Sequence, residues 1–544
     1  MRFCWKFLLL PVLAALAATP ALAREGGGGS TGGGQRIEVR PYIEAAQVLS
    51  AELSPGNDTV TYTRLAAGVD TSINGRNTAG ELSLRYARTI GWGKDAPDVD
   101  EITGIARVSA SIIPRTLTIE AGGLATRTHF EGNGGSVLNP FSSDGDSNTL
   151  YSVYAGPSLQ THAGDVALTA NYRIGYTRLE GPDGILAGPD GDPVDVFDHS
   201  TVHMATLHAG TQPGDVLPVG LGLGAGWYRE DISNLDQRAQ DRHVRADVTV
   251  PVSRTVALVG GVGYEDVEIS SRDALFDADG NPVFDSKGRL KTDKSAPRVM
   301  AYDVEGLIWD VGVIWRPSVR TTLEAHVGRR YGATSYHGSF GWQMTRRSSV
   351  NVMVYDNVAG FGGQLNNALS SLPTSFDAVR NALTGDLNSC VGSLEQGSCL
   401  GSALGSVRSA TFRGRGIAAS YAVDLGRIQA GIGAGYDRRK FIAAEGTILA
   451  SANGVIDENI WLAAYANLRL DRRSTLSGDI RANWLNSGFA NGGDVTAWGA
   501  GLAYDRLLTD RLSATAAVRL DGITREIEED SSYLTALLGM RYSF

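Results

Sequence analysis

From end to end the chain is written in segments of about ten residues whose apolar side chains recur at every second position, the length and period of a tilted strand that crosses a bilayer. In residues 512–520, Leu512, Ala514, Ala516, Val518 and Leu520 share one face, and Ser513, Thr515, Ala517 and Arg519 the other. Residues 498–504 set Trp498, Ala500, Leu502 and Tyr504 against a face rich in glycine, and residues 476–484 gather Ser477, Asp479, Arg481 and Asn483 on their polar side. Segments 428–436, 350–354, 340–344, 323–327 and 82–86 keep the same period. After the first 23 residues no apolar stretch is long enough for a membrane helix, so any crossing is made by strands.

A soluble β-sandwich alternates too, and three features separate the cases. The polar faces carry charge and glycine, which suits a wet lumen, while the apolar faces carry Trp342, Tyr421, Tyr436, Trp484, Trp498 and Tyr504, as interfacial girdles require. Connections also alternate in length. Short turns at 73–76, 317–320, 345–348, 425–427, 471–473 and 507–511 are separated by long polar stretches at 131–147, 181–199, 271–297, 360–407 and 443–457. The fold expected is all-β: a transmembrane antiparallel β-barrel of about 22 strands (18–24), with short periplasmic turns and long extracellular loops. So wide a barrel needs something in its lumen. The best internal candidate is 360–407, with Phe376, Val379 and Leu383 at helical spacing after Ser375 as N-cap. The segment ahead of the first strand is too short to be the plug domain of a TonB-dependent transporter.

Residues 1–23 combine Arg2 and Lys6, an apolar run from Phe7 to Ala18 and the small-residue ending Ala21-Leu22-Ala23, the layout of a cleaved secretory signal. Residues 24–35, with the run GGGGSTGGG, read as a flexible tether, and 36–544 as one barrel. A formal net charge of −10 offers no basic stripe for nucleic acid. Cys4 leaves with the signal; Cys390 and Cys399 can close a small disulfide loop in an oxidising compartment.

The last segment places Leu534, Ala536, Leu538, Met540, Tyr542 and Phe544 on one face, and Thr535, Gly539, Arg541 and Ser543 on the other. Here the chain resembles outer-membrane barrel proteins, whose final strand carries an assembly signal matched by Gly539, Tyr542 and Phe544. Leu537 departs from it, standing where a polar residue is usual. The resemblance implies residence in the outer membrane and, as partners, its lipid, lipopolysaccharide and the barrel-assembly machinery. The opening Val39-Arg-Pro-Tyr-Ile-Glu44 and the turns Asp471-Arg-Arg-Ser474 and Thr345-Arg-Arg-Ser348 resemble, more narrowly, large barrels associated with exopolysaccharide and PEP-CTERM gene clusters, which implies polysaccharide as a passenger.

Nothing in the sequence assembles a catalytic, cofactor or metal site. His203 and His208 differ by an odd number, so in a strand they face opposite sides. From Asp277 the EF-hand pattern fails at Pro282 and Gly288, leaving Asp-Gly loop tips as the simpler reading. A rim hydrolase would need Ser335 beside His337 or His326, and is the least favoured of three functions. The first is a pore or loop-gated channel, with exopolysaccharide export as its candidate role. The second is a structural or adhesive barrel binding lipopolysaccharide or other cells. Candidate lumen residues are Arg85, Glu324, Arg330, Arg469, Asp479, Arg481, Arg519 and Asp521, with Glu81 and Asp437. Their charges balance, which favours a neutral or mixed-charge solute.

Overall fold

The computed structural model describes residues 36–93, 98–130, 136–137, 148–180, 196–285, 289–378, 380–381, 383, 385, 387, 400, 407–489, 493–527 and 529–544. The signal, the tether and the Cys390–Cys399 pair lie outside them. In chain order the barrel strands are β1 Arg36–Ser54, β2 Thr59–Asn74, β3 Thr78–Trp92, β4 Val99–Ile113, β5 Leu117–Phe130, β6 Asn148–Ala163, β7 Val166–Glu180, β8 His199–Thr211, β9 Gly220–Ile232, β10 Gln237–Pro251 and β11 Val256–Ser271. They continue as β12 Val299–Ser318, β13 Thr321–Arg330, β14 Ala333–Thr345, β15 Ser348–Ala359, β16 Phe412–Asp424, β17 Ile428–Phe441, β18 Ile456–Arg469, β19 Ser474–Asn486, β20 Val495–Leu507, β21 Leu512–Arg525 and β22 Ser531–Ser543.

Each strand pairs antiparallel with its sequence neighbours, and β1 pairs with β22, from Tyr42 opposite Ser543 to Ser54 opposite Ser532. The 22-strand ring therefore has no free edge, which is what a sheet needs in a solvent that cannot satisfy unpaired backbone groups. At the seam Arg541 lies 3.5 Å over the Tyr42 ring and binds Asp70 at 3.0 Å.

Alternation sets the two faces. Ile43, Leu49, Leu65, Ile90, Leu502 and Met540 are exposed on the outside, with Leu307 at 65% and Leu538 at 70%, while their chain neighbours turn inward and are buried or half-buried. A continuous apolar belt of this kind belongs in lipid, not water. Trp92, Trp484 and Trp498 stand on the outer face near one end, and Trp315, Trp342, Tyr504 and Tyr542 near the other. This is a transmembrane barrel of the outer-membrane type.

Every short connection named from the sequence closes one end of the ring, and every long one the other. Among the connections not named from the sequence, 55–58 and 233–236 are short at the loop end, 212–219 is eight residues at the turn end, and one loop-end connection is shorter still. Tyr331-Gly332 joins β13 to β14 in two residues at the loop end, both with positive φ (54° and 65°). Tyr331 bends inward, its N–H donating to Glu265 Oε1 (2.5 Å) and its hydroxyl to Asp241 Oδ2 (3.2 Å). Loop-end segments also pack on one another. Leu235, Ala274, Leu290, Ala410, Phe412, Phe441, Leu449 and Phe489 form one apolar cluster, and Asp273 Oδ1 accepts the Ile448 N–H at 2.9 Å.

Candidate functional site

The connection between β15 and β16 folds into the ring instead of standing above it. Its helix α1, Phe361–Ser371, packs on the inner faces of β5 to β8 and touches β15. The helix expected at 375–383 is corrected by this placement. Pro373 ends α1, because the residue before a proline is driven out of the helical region and Leu372 is extended (φ −60°, ψ 149°); beyond it Arg380 is held in a bridge with Leu387 instead of a helix.

Apolar burial holds this part in place. Phe361, Leu365, Leu369, Leu372 and Phe376 are buried against Ile105, Leu124, Leu150, Leu179 and Ile232 of the wall and Phe197 just ahead of β8. At roughly 1.5–3 kcal/mol for each buried Leu or Phe, the packing is the largest favourable term in docking the loop. Polar contacts then fix its register. Gly360 N–H and Gly363 N–H donate to the two oxygens of Glu230 at 2.6 and 2.9 Å, so a carboxylate from β9 caps the first turn of α1. Tyr228 hydroxyl donates to the same carboxylate at 2.6 Å. Glycine is required here: a Cβ at Gly362 would lie 2.0 Å from Ser200 Oγ, and one at Gly363 1.9 Å from the Tyr228 hydroxyl. Asn366 Nδ2 donates to Thr177 Oγ1 (2.8 Å), Gln364 Nε2 to Asp437 Oδ2 of β17 (3.1 Å), and Arg173 to Ser370 and Asn367.

Further along, the loop reaches other walls. Arg380 donates to Thr103 Oγ1 at 2.9 Å and to Ser83 Oγ at 3.0 Å, and Leu383 joins an apolar cluster with Val48, Tyr62, Ala503, Ala517 and Leu537. Leu537, apolar where the assembly pattern prefers polar, thus lines the patch that receives the loop. The contacts run from the β1–β8 wall to β17 and the β20–β22 wall, and the loop crosses the lumen.

The structure gathers four of the candidate lumen residues. Arg519, fully buried, donates to Asp479 Oδ2 (2.6 Å) and Asp521 Oδ1 (2.9 Å), and Arg481 donates to Asp521 at 3.1 Å. Gly499 and Gly501 between them make the room, since a Cβ at Gly499 would sit 2.2 Å from Asp521 Oδ1. The others lie apart. Arg85 donates to Glu44 at 3.1 Å; Arg330 binds Asp241 (2.7 Å) and Glu265 (3.3 Å); Glu324 lies 3.2 Å from His326 Nε2. Glu81 accepts from Ser72, and Arg469 is exposed where β18 meets its turn. Gly539, opposite Ala46, and Tyr542, ring to ring with exposed Phe544 at 5.2 Å, lie on β22 and at its end.

Sequence reasoning missed Glu230, Arg173 and Asn366 because each matters only through a partner far along the chain. One signal was available: Gly360-Phe-Gly-Gly363 ahead of an amphipathic run and a proline. It also missed a band on β10 to β14, where Arg245 binds Asp310 (2.6 Å) and Asp247 (3.0 Å). His326 Nδ1 lies 2.9 Å from Asp310, and its ring stacks on His337 at 4.8 Å. Both His326 nitrogens face carboxylates, which leaves neither to act as base for Ser335. His203 and His208 fall on opposite faces: His203 contacts Tyr172, and His208 lies beside Asp247. Asp277 accepts the Asp279 and Asn281 N–H groups at 2.9 Å, a capped loop tip. No group of three or more potential metal ligands occurs among the described residues.

No family model and no curated protein sequence matches the chain. Solved structures do. The closed form of the ferric-catecholate import receptor Fiu from K12 E. coli aligns with 93% of this chain and 82% of its own, at 10% identity and a TM-score of 0.42. The siderophore receptor PirA from Acinetobacter baumannii aligns over 94% and 81% (11%, TM-score 0.40). The FrpB iron transporter from Neisseria meningitidis, F5-1 variant, aligns over 92% and 82% (10%, TM-score 0.41). Likenesses this remote say nothing of what this chain carries.

Proposed function

We propose that the protein is an outer-membrane channel whose path is closed by its own internal loop, residues 360–411. The observation that carries this is α1: an amphipathic helix inside a polar lumen, capped by Glu230 and tied across to Asp437. A barrel of this width whose lumen is crossed by its own loop conducts only when that loop moves or a path opens beside it. The wall offers charges of both signs, most of them paired, so it selects weakly by charge. The passenger this favours is a saccharide chain of low net charge, and export of a surface polysaccharide is the finer assignment.

Swelling of vesicles that hold the barrel tests the passenger. With the loop shortened, neutral oligosaccharides should enter faster than polyanionic ones of equal size; uniform exclusion would sink the proposal. Loss of surface polysaccharide from cells lacking the protein is expected if export is its role.

A second reading, a surface-binding barrel, draws on the ladder built by 272–298. Bridges Ala274–Thr292, Phe276–Pro282 and Phe284–Leu290 hold Leu275 and Phe276 exposed. Unchanged cell or lipopolysaccharide binding after removal of 275–291 would exclude it.

A further inference from the structure

The turn end of the barrel is dressed in arginine. Going round the ring from turn 252–255 through the β22–β1 seam to turn 114–116, every turn carries at least one, and the pairs Arg346-Arg347 and Arg472-Arg473 carry two. The two turns outside this arc, 164–165 and 212–219, carry Asp165 and Asp215 instead. No lysine stands on any turn; Lys291, Lys294 and Lys440 lie toward the loop end.

Three observations say what the arc meets. Its arginines are exposed, and among the described residues none of those on the turns enters an ion pair. Loop-end arginines such as Arg229, Arg238, Arg272 and Arg298 all do. Two of the acids beside them are engaged by turn backbone: Asp424 accepts the Gly426 N–H (2.7 Å) and Asp471 the Arg473 N–H (2.6 Å). Second, five of these turns set an exposed apolar residue beside the arginine, Val252 by Arg254, Val319 by Arg320, Leu425 by Arg427, Leu470 by Arg472 and Leu508 by Arg511. Third, the turns are too short to leave the interface. At roughly 3.3–3.6 Å per residue a turn of two to four residues keeps its side chains close to the belt marked by Trp315, Trp342, Tyr504 and Tyr542.

We propose that this arc is a docking surface for anionic phospholipid headgroups in the leaflet that meets the turns. A guanidinium fork matches a phosphate in geometry and stays charged, which suits arginine in place of lysine. The unpaired charge follows the circumference, where lipid lies. At the mouth itself Arg40 is matched by Glu38 and Arg541 by Asp70. A polyanion passing through the lumen would need the reverse arrangement. The lipid forms a crescent, interrupted at Asp165 and Asp215. The proposal depends on the fold's orientation and not on conduction.

The test is native mass spectrometry of the full-length protein released from vesicles of mixed phosphatidylcholine and phosphatidylglycerol. The wild type should retain phosphatidylglycerol preferentially, with the preference falling as salt rises. The variant R346Q/R347Q/R472Q/R473Q should lose it, at about fivefold per arginine. No preference in the wild type, or a preference insensitive to salt, overturns the proposal without needing the variant to fold. Tighter binding of soluble dextran sulfate than of phosphatidylglycerol would overturn it in favour of a polymeric partner.

Discussion

Glu230 belongs to a strand and works for a helix. Its carboxylate receives two N–H groups of the first turn of α1 and the Tyr228 hydroxyl, replacing the side-chain cap that Gly360 cannot supply. Glu230→Gln keeps the shape and removes the charge, and should weaken docking of the loop by about 1–2 kcal/mol. Limited proteolysis within 361–411 reads this, with a rate roughly 5–30 times that of the wild type. Gly362→Val, whose Cβ would meet Ser200 Oγ, should do so more strongly. Unchanged cleavage in both would remove Glu230 and Gly362 from the account. Much at this scale was legible in advance: Arg519, Asp479, Arg481 and Asp521 could be set on one face by counting in twos. Their mutual contacts could not, because cross-strand register depends on turns and bulges that counting does not reveal.

The strands were legible as elements because each has one face in lipid and one in a polar lumen, so period two survives along the chain. The helix was misplaced because 375–383 has helical spacing, whereas Arg380 in it is held by a bridge to Leu387 and by Ser83 and Thr103 of the wall, partners that spacing does not reveal. Loop packing was not legible at all, since Leu235, Ala274, Leu449 and Phe489 come from four separate connections. One loop contact has a defined acid response. Asp198 binds Arg289 of the 272–298 segment and lies 3.0 Å from His199 Nδ1. Burial works to raise its carboxyl, but the His199 hydrogen bond and the Arg289 charge outweigh it and bring the pKa down to about 2. With the folded pKa below the ordinary value near 4, the contact stabilises fully above that value and is lost as pH falls toward about 2. Hydrogen exchange across 275–291, corrected for intrinsic rate, should hold steady from neutral pH to about 4 and quicken below. Asp198→Asn should abolish the step, and a wild-type response centred near neutrality would contradict the assignment.

For the whole molecule, the proposed closure rests on a ring with no edge and an internal loop that crosses it. Ala359 and Phe412 are directly paired, so the ends of β15 and β16 can be joined by a short turn once 362–409 is removed, without disturbing the ring. The central measurement is single-channel current in planar bilayers for the full chain and for this shortened one. The full chain should show small or rare openings and the shortened chain a large, steady conductance; equal conductance in the two, large or absent, would contradict closure by the loop.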